Sequence, residues 1–143
     1  LLSGRCDRIT VNYIRVVSLS VILFIVQVAI SAIATILVGA DETLQTVQYN
    51  LTLYCLSFFL TLSVYIYLAN KQATKPFLHA FLLASIYFLI DLSVGLLMQI
   101  FLDVPLVPMV YLIPILLHAL ALLSGTLIGI QLLSKSQHEA RSI

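Results

Sequence analysis

The sequence predicts an all-α integral membrane protein: a four-transmembrane-helix bundle running up-down-up-down, with both termini on the cytoplasmic side. Three observations carry that expectation. Composition comes first: 62% hydrophobic and 9% charged residues in a chain of 143, with a mean hydropathy of +1.12, lie far from soluble averages. Four apolar runs, at about 12–38, 49–68, 77–102 and 107–133, come second. Each is long enough to cross roughly 30 Å of hydrocarbon at a helical rise of about 1.5 Å per residue. The third observation is the placement of charge. Arg5, Arg8 and Arg15 precede the first run, Lys71 and Lys75 separate the second from the third, and Lys135 and Arg141 follow the fourth. The other two connections carry only Asp41, Glu42 and Asp103. Short cytoplasmic loops retain Lys and Arg during insertion, which orients the chain.

The first run has a basic flank and an Ala-rich stretch over 29–40, as a secretory signal would, but a signal core is only about 7 to 15 residues long. It therefore reads as a transmembrane helix. It is joined to the second run through Gly39, Ala40, Asp41 and Glu42. In the next link, Pro76 suits the first turn of the third helix. The outer link between the third and fourth runs holds Pro105 and Pro108, which stop one helix and start the next. Connections this short make consecutive helices antiparallel neighbours. What remains outside the helices is too short to fold separately, so residues 1–143 form a single transmembrane domain.

Most tyrosines lie within about two turns of a run's end, Tyr65 among them, where an amphipathic ring favours the membrane interface. Tyr87 lies deep in the third run. An offset of 62 aligns Ser31 with Ser93, Asp41 with Asp103 and Tyr49 with Tyr111, but so few matches are close to what chance supplies in a Leu- and Ile-rich chain.

Asp91 is the acidic residue inside a span, and such a group costs roughly 2.5 to 3.5 kcal/mol at the bilayer centre. Counting inward from the outer ends places His118 of the fourth run at the depth of Asp91. Gln27 of the first run and Ser57 and Thr61 of the second fall near that level, so all four helices offer a hydrogen-bonding group to one layer. On the third run Ala84, Tyr87, Asp91, Gly95 and Gln99 follow three- and four-residue steps. On the fourth, Pro114, His118, Ala121, Gly125 and Gly129 do the same, and Gly125 with Gly129 forms a GxxxG packing pair. The expectation is that these two stripes face each other and that Asp91 pairs with His118, oriented by Tyr87 and Gln27. Two meanings fit that pair. It either locks helix register through a hydrogen bond worth about 0.6 kcal/mol, or relays a proton or cation at mid-membrane. Gly95, Ala121, Gly125 and Gly129 are assigned to packing, and a static kink at Pro114 is favoured over a hinge.

Much is excluded. His79, His118 and His138 lie at three depths, which leaves no joint metal site, and His79 reads as interfacial. Cys6 and Cys55 form no CxxC pair and are separated by depth. No nucleophilic triad, HExxH, phosphate loop or paired carboxylate is present. The net charge of +1 argues against nucleic acid. The sequence therefore points to a non-enzymatic protein of the plasma membrane or a bacterial inner membrane, with no cofactor, whose partners are the lipid bilayer and other membrane subunits or further copies of itself. An accessory or assembly subunit of a larger complex is the favoured reading. A small oligomeric transporter or channel built on Asp91 and His118 is the alternative.

Overall fold

A computed structural model describes residues 13–38, 47–72, 75–102 and 108–141, all but a few of them helical. The helices are α1 (Tyr13–Val38), α2 (Val47–Lys71), α3 (Pro76–Leu102) and α4 (Pro108–Arg141). The chain is all-α, with four helices long and apolar enough to cross a membrane. Arg5 and Arg8, the acidic residues of both outer links, and Pro105 lie outside the described residues, as do the repeat matches at Asp41 and Asp103. Pro76 opens α3, where its missing N–H is not needed. Before it, Lys75 holds a φ of 48° and its carbonyl accepts from the Leu78 amide at 3.1 Å. α4 runs eight residues past the expected end, to Arg141. The apolar run stops near Leu133, but the following Lys, Gln, Glu, Ala and Arg are good helix formers with no Gly or Pro among them.

Helix directions follow from paired contacts. On α2, Tyr65 and Leu62 meet Gly125, while Ala69 and Ile66 meet Gly129, so α2 and α4 run parallel. Ser20 reaches Leu83 and Gln27 reaches Tyr87, so α1 and α3 are also parallel. Gln27 meets Thr61 and Thr35 meets Tyr49, so α1 is antiparallel to α2. Directions alternate along the chain and consecutive helices touch, but the closest partnerships are between helices two apart in sequence. The most intimate partnership is α2 with α4, followed by α1 with α3, and α1 barely meets α4.

That pairing corrects one expectation. The glycine stripe of α4 faces α2, not the polar stripe of α3. A Cβ built on Gly129 would lie 2.6 Å from the Ala69 Cβ and 2.7 Å from the Ile66 carbonyl oxygen; on Gly125 it would lie 2.9 Å from the Leu62 oxygen. Small residues let two backbones meet only where both helices offer them, and α2 supplies Ala69 opposite Gly129.

Packing is lopsided along the bundle axis. Among the described residues, every buried one lies between mid-depth and the end bearing Lys71 and Lys75: Val16 to Leu23 on α1, Thr61 to Ala69 on α2 with Gln72 just past its end, His79 to Tyr87 on α3, and His118 to Gly129 on α4. Ser20 ties this half together, sharing its hydroxyl proton between the Val16 carbonyl at 2.9 Å and the Leu83 carbonyl of α3 at 3.2 Å. In the other half, residues 92–101 of α3 are all exposed or half-buried. Among the described residues the bundle is densely packed in one half, the closed half, and loosely packed in the other, which we call the spread half.

Gly129→Ala is expected to destabilise the protein by about 1 to 3 kcal/mol, because the collision is with backbone rather than a flexible side chain. Unfolding in mixed micelles measures it. Leu127→Ala, half exposed on the outside of α4, is the matched control and should cost less.

Candidate functional site

Where the closed half ends, a polar layer crosses the bundle. Gln27 enters it from α1 and is held on both sides. Tyr87 of α3 donates its hydroxyl to Gln27 Oε1, and Gln27 Nε2 donates to Thr61 Oγ1 of α2 at 3.0 Å. One amide therefore connects three helices. His118 of α4 is fixed separately. Its Nε2 meets the Tyr65 hydroxyl at 2.8 Å, and its ring stacks on Tyr87 with centroids 4.7 Å apart and planes 22° apart. Phe88 tilts against the same imidazole at 5.0 Å. Tyr87 joins the two groups, hydrogen-bonded to Gln27 at its tip and stacked on His118 at its face.

The structure thus brings Gln27, Tyr87 and His118 into one cluster, but does not join His118 to Asp91 directly. Among the described residues Asp91 makes no hydrogen bond or ion pair. The reason is the helix pairing. With α4 drawn onto α2, the imidazole finds Tyr65, one turn beyond Thr61. Asp91 sits one turn above Tyr87 on α3, half-buried, and faces a cavity.

That cavity occupies the spread half of the bundle and has a volume of about 480 Å³. All four helices contribute to it. Gln27, Thr61, Tyr87 and His118 lie at its deep end, toward the closed half; Asp91 is on its wall; Pro114 of α4 lines it one turn above His118. Proline supplies no N–H to the preceding turn, so the helix is weakened where it borders the space. Gly95 is half-buried above Asp91, and Ala121 is fully buried below His118.

Two residues that the sequence placed at the membrane interface are covered by neighbouring helices. Tyr65 is completely buried. It lies about two turns from the end of α2, which suggested an interfacial ring, yet that stretch is where α4 seals the bundle. The signal pointing inward was the three- and four-residue spacing of Thr61, Tyr65, Leu68, Ala69 and Gln72. His79 is also buried, its Nδ1 donating to the Lys75 carbonyl at 3.0 Å.

Among the described residues no three His, Cys, Asp or Glu side chains converge as a metal group would require. What the site offers chemically is one carboxyl group without a hydrogen-bond partner among the described residues, in a largely apolar cavity above an imidazole already engaged by a phenol. No family model, curated protein or solved structure matches this chain.

A double-mutant cycle of Gln27→Leu with Tyr87→Phe should give a coupling of about 0.6 kcal/mol and at most about 1.7 kcal/mol, the range for hydrogen bonds between membrane helices. Zero coupling in unfolding titrations would mean that the Gln27–Tyr87 bond contributes nothing to holding α1 on α3.

Proposed function

We propose that this chain is a non-enzymatic membrane protein that takes up a small cation, the proton included, at Asp91 and passes it across the bilayer as part of an oligomer. The observation that carries this reading is the cavity: an acid that resists burial in hydrocarbon borders a space of about 480 Å³ instead of meeting a protein partner. The polar layer beneath it supplies a floor, and His118 with Tyr65 and Tyr87 is the group across which charge must pass. Four helices closed at one end leave no continuous path, so movement through this chain requires rearrangement against neighbouring copies.

The distribution of Lys and Arg supports an orientation with both termini cytoplasmic, which turns the cavity toward the outside of the plasma membrane or a bacterial inner membrane. A cysteine at Glu42 should then react with an impermeant maleimide on intact cells, and one at the exposed Lys71 should not. The reverse pattern would turn the cavity inward.

Proteoliposomes carrying the protein should dissipate a pH gradient, and Asp91→Asn, which keeps shape while removing titration, should reduce that flux to the rate of empty vesicles. Equal flux from the variant and the unaltered protein ends the transport reading.

A second reading, an accessory subunit contributing helices to a larger complex, draws on the spread half of the bundle, where residues 92–101 of α3 have no buried member. Elution in mild detergent only alone or with copies of itself would count against it.

A further inference from the structure

The cavity has features that a proton site does not require, and they narrow the chemistry of its occupant. Volume is one. About 480 Å³ falls within the range of roughly 300 to 1,000 Å³ that small-molecule sites occupy. Charge is another: Asp91 lines the space and no Lys or Arg does, which disfavours an anion. The polar groups of the floor are already committed, Gln27 to Tyr87 and Thr61 and His118 to Tyr65. A hard metal cation, which seeks six or more oxygen ligands, finds one carboxyl group and the hydroxyls of Ser31, Tyr54 and Ser57 on the walls, fewer than it seeks. The walls are aromatic. Phe88 precedes Asp91 by three residues, on the same face of α3, and across the space Tyr54 and Phe58 of α2 stand four residues apart on one face, both lining the cavity. Leu53, Ile30 and Leu92 complete an apolar surround.

We infer that the ligand is an amphiphilic organic ammonium ion, its charged head at Asp91 and its apolar body among Tyr54, Phe58 and Phe88. One diffuse positive charge needs one counter-charge and gains further from π faces, which a hydrated metal ion cannot exploit as well. The carboxylate provides the sign, the rings provide affinity for a poorly hydrated cation, and the volume admits a body of one aromatic ring with a substituted nitrogen. This inference rests on the reading of Asp91 as a cation site, and adds the class of cation.

The test is equilibrium binding without any gradient. The full chain in nanodiscs of zwitterionic lipid is dialysed against radiolabelled benzyltrimethylammonium, with empty nanodiscs as the baseline. Retention above that baseline is expected, and it should fall at least tenfold in Asp91→Asn. Two competitors separate charge from shape on the unaltered protein: neopentylbenzene, the neutral carbon isostere, and tetramethylammonium, which lacks the ring. Each should compete at least tenfold less well than unlabelled benzyltrimethylammonium. Retention equal to that of empty nanodiscs overturns the inference, as does a neutral isostere that competes equally well. If Asp91→Asn does not fold, the competition on the unaltered protein decides alone. Ammonium binding without pH-driven flux would remove the transport reading and leave the ligand class standing. Flux without ammonium binding would do the opposite.

Discussion

The close approach of α2 and α4 at Gly125 and Gly129 is the constraint from which the rest of the architecture follows. A carbonyl oxygen within 3 Å of where a side chain would begin means that these backbones meet without intervening atoms. In a bilayer, helices gain nothing by hiding apolar surface from lipid that is equally apolar, so packing of this closeness is among the contributions that decide which pairs form. α4 is drawn to α2, although α3 precedes it in the chain. α3 then lies along α1, where Ser20 bonds to the Leu83 carbonyl.

From that pairing comes the asymmetry of the bundle. Ala69, Ala80, Ala84, Ala121, Gly125 and Gly129 all fall in the closed half. Toward the other end Pro114 interrupts the hydrogen-bond ladder of α4. The space left between the helices there is the cavity. Its deep end is polar because Gln27 has two partners and fits both: its carbonyl oxygen accepts from Tyr87 and its amide nitrogen donates to Thr61. A half-buried amide satisfied on both sides is compatible with an apolar interior, whereas a carboxyl group without a partner is less so. Asp91 stands where the tight packing ends and open space begins.

The four helices were legible because hydrophobic length acts independently of tertiary detail. The depth of the polar layer was legible for the same reason. Counting residues from the helix ends put Asp91, His118 and Gln27, with Ser57 and Thr61, near one level; the structure joins Gln27, Thr61 and His118 through Tyr87, one turn below Asp91, and leaves Asp91 outside that cluster. Partnership was harder to read. Face analysis put Asp91 and His118 on polar stripes, but a stripe does not say which of three neighbours it meets. The GxxxG pair of α4 needed small residues opposite it, and Ala69 of α2 meets that need where the polar stripe of α3 does not. Tyr65 and His79 were misplaced because distance from a helix end predicts depth alone, not whether a neighbouring helix covers the side chain. The extension of α4 was missed because the end of hydrophobicity was equated with the end of the helix.

The sequence by itself determined that the described residues form four helices and where each begins to within a few residues. These are one-dimensional properties, set by a rise per residue and a transfer free energy. Only the tertiary structure decided that His118 bonds to Tyr65 and leaves Asp91 facing a cavity. That outcome depends on which pair of helices can approach most closely, a competition among surfaces that no single segment encodes.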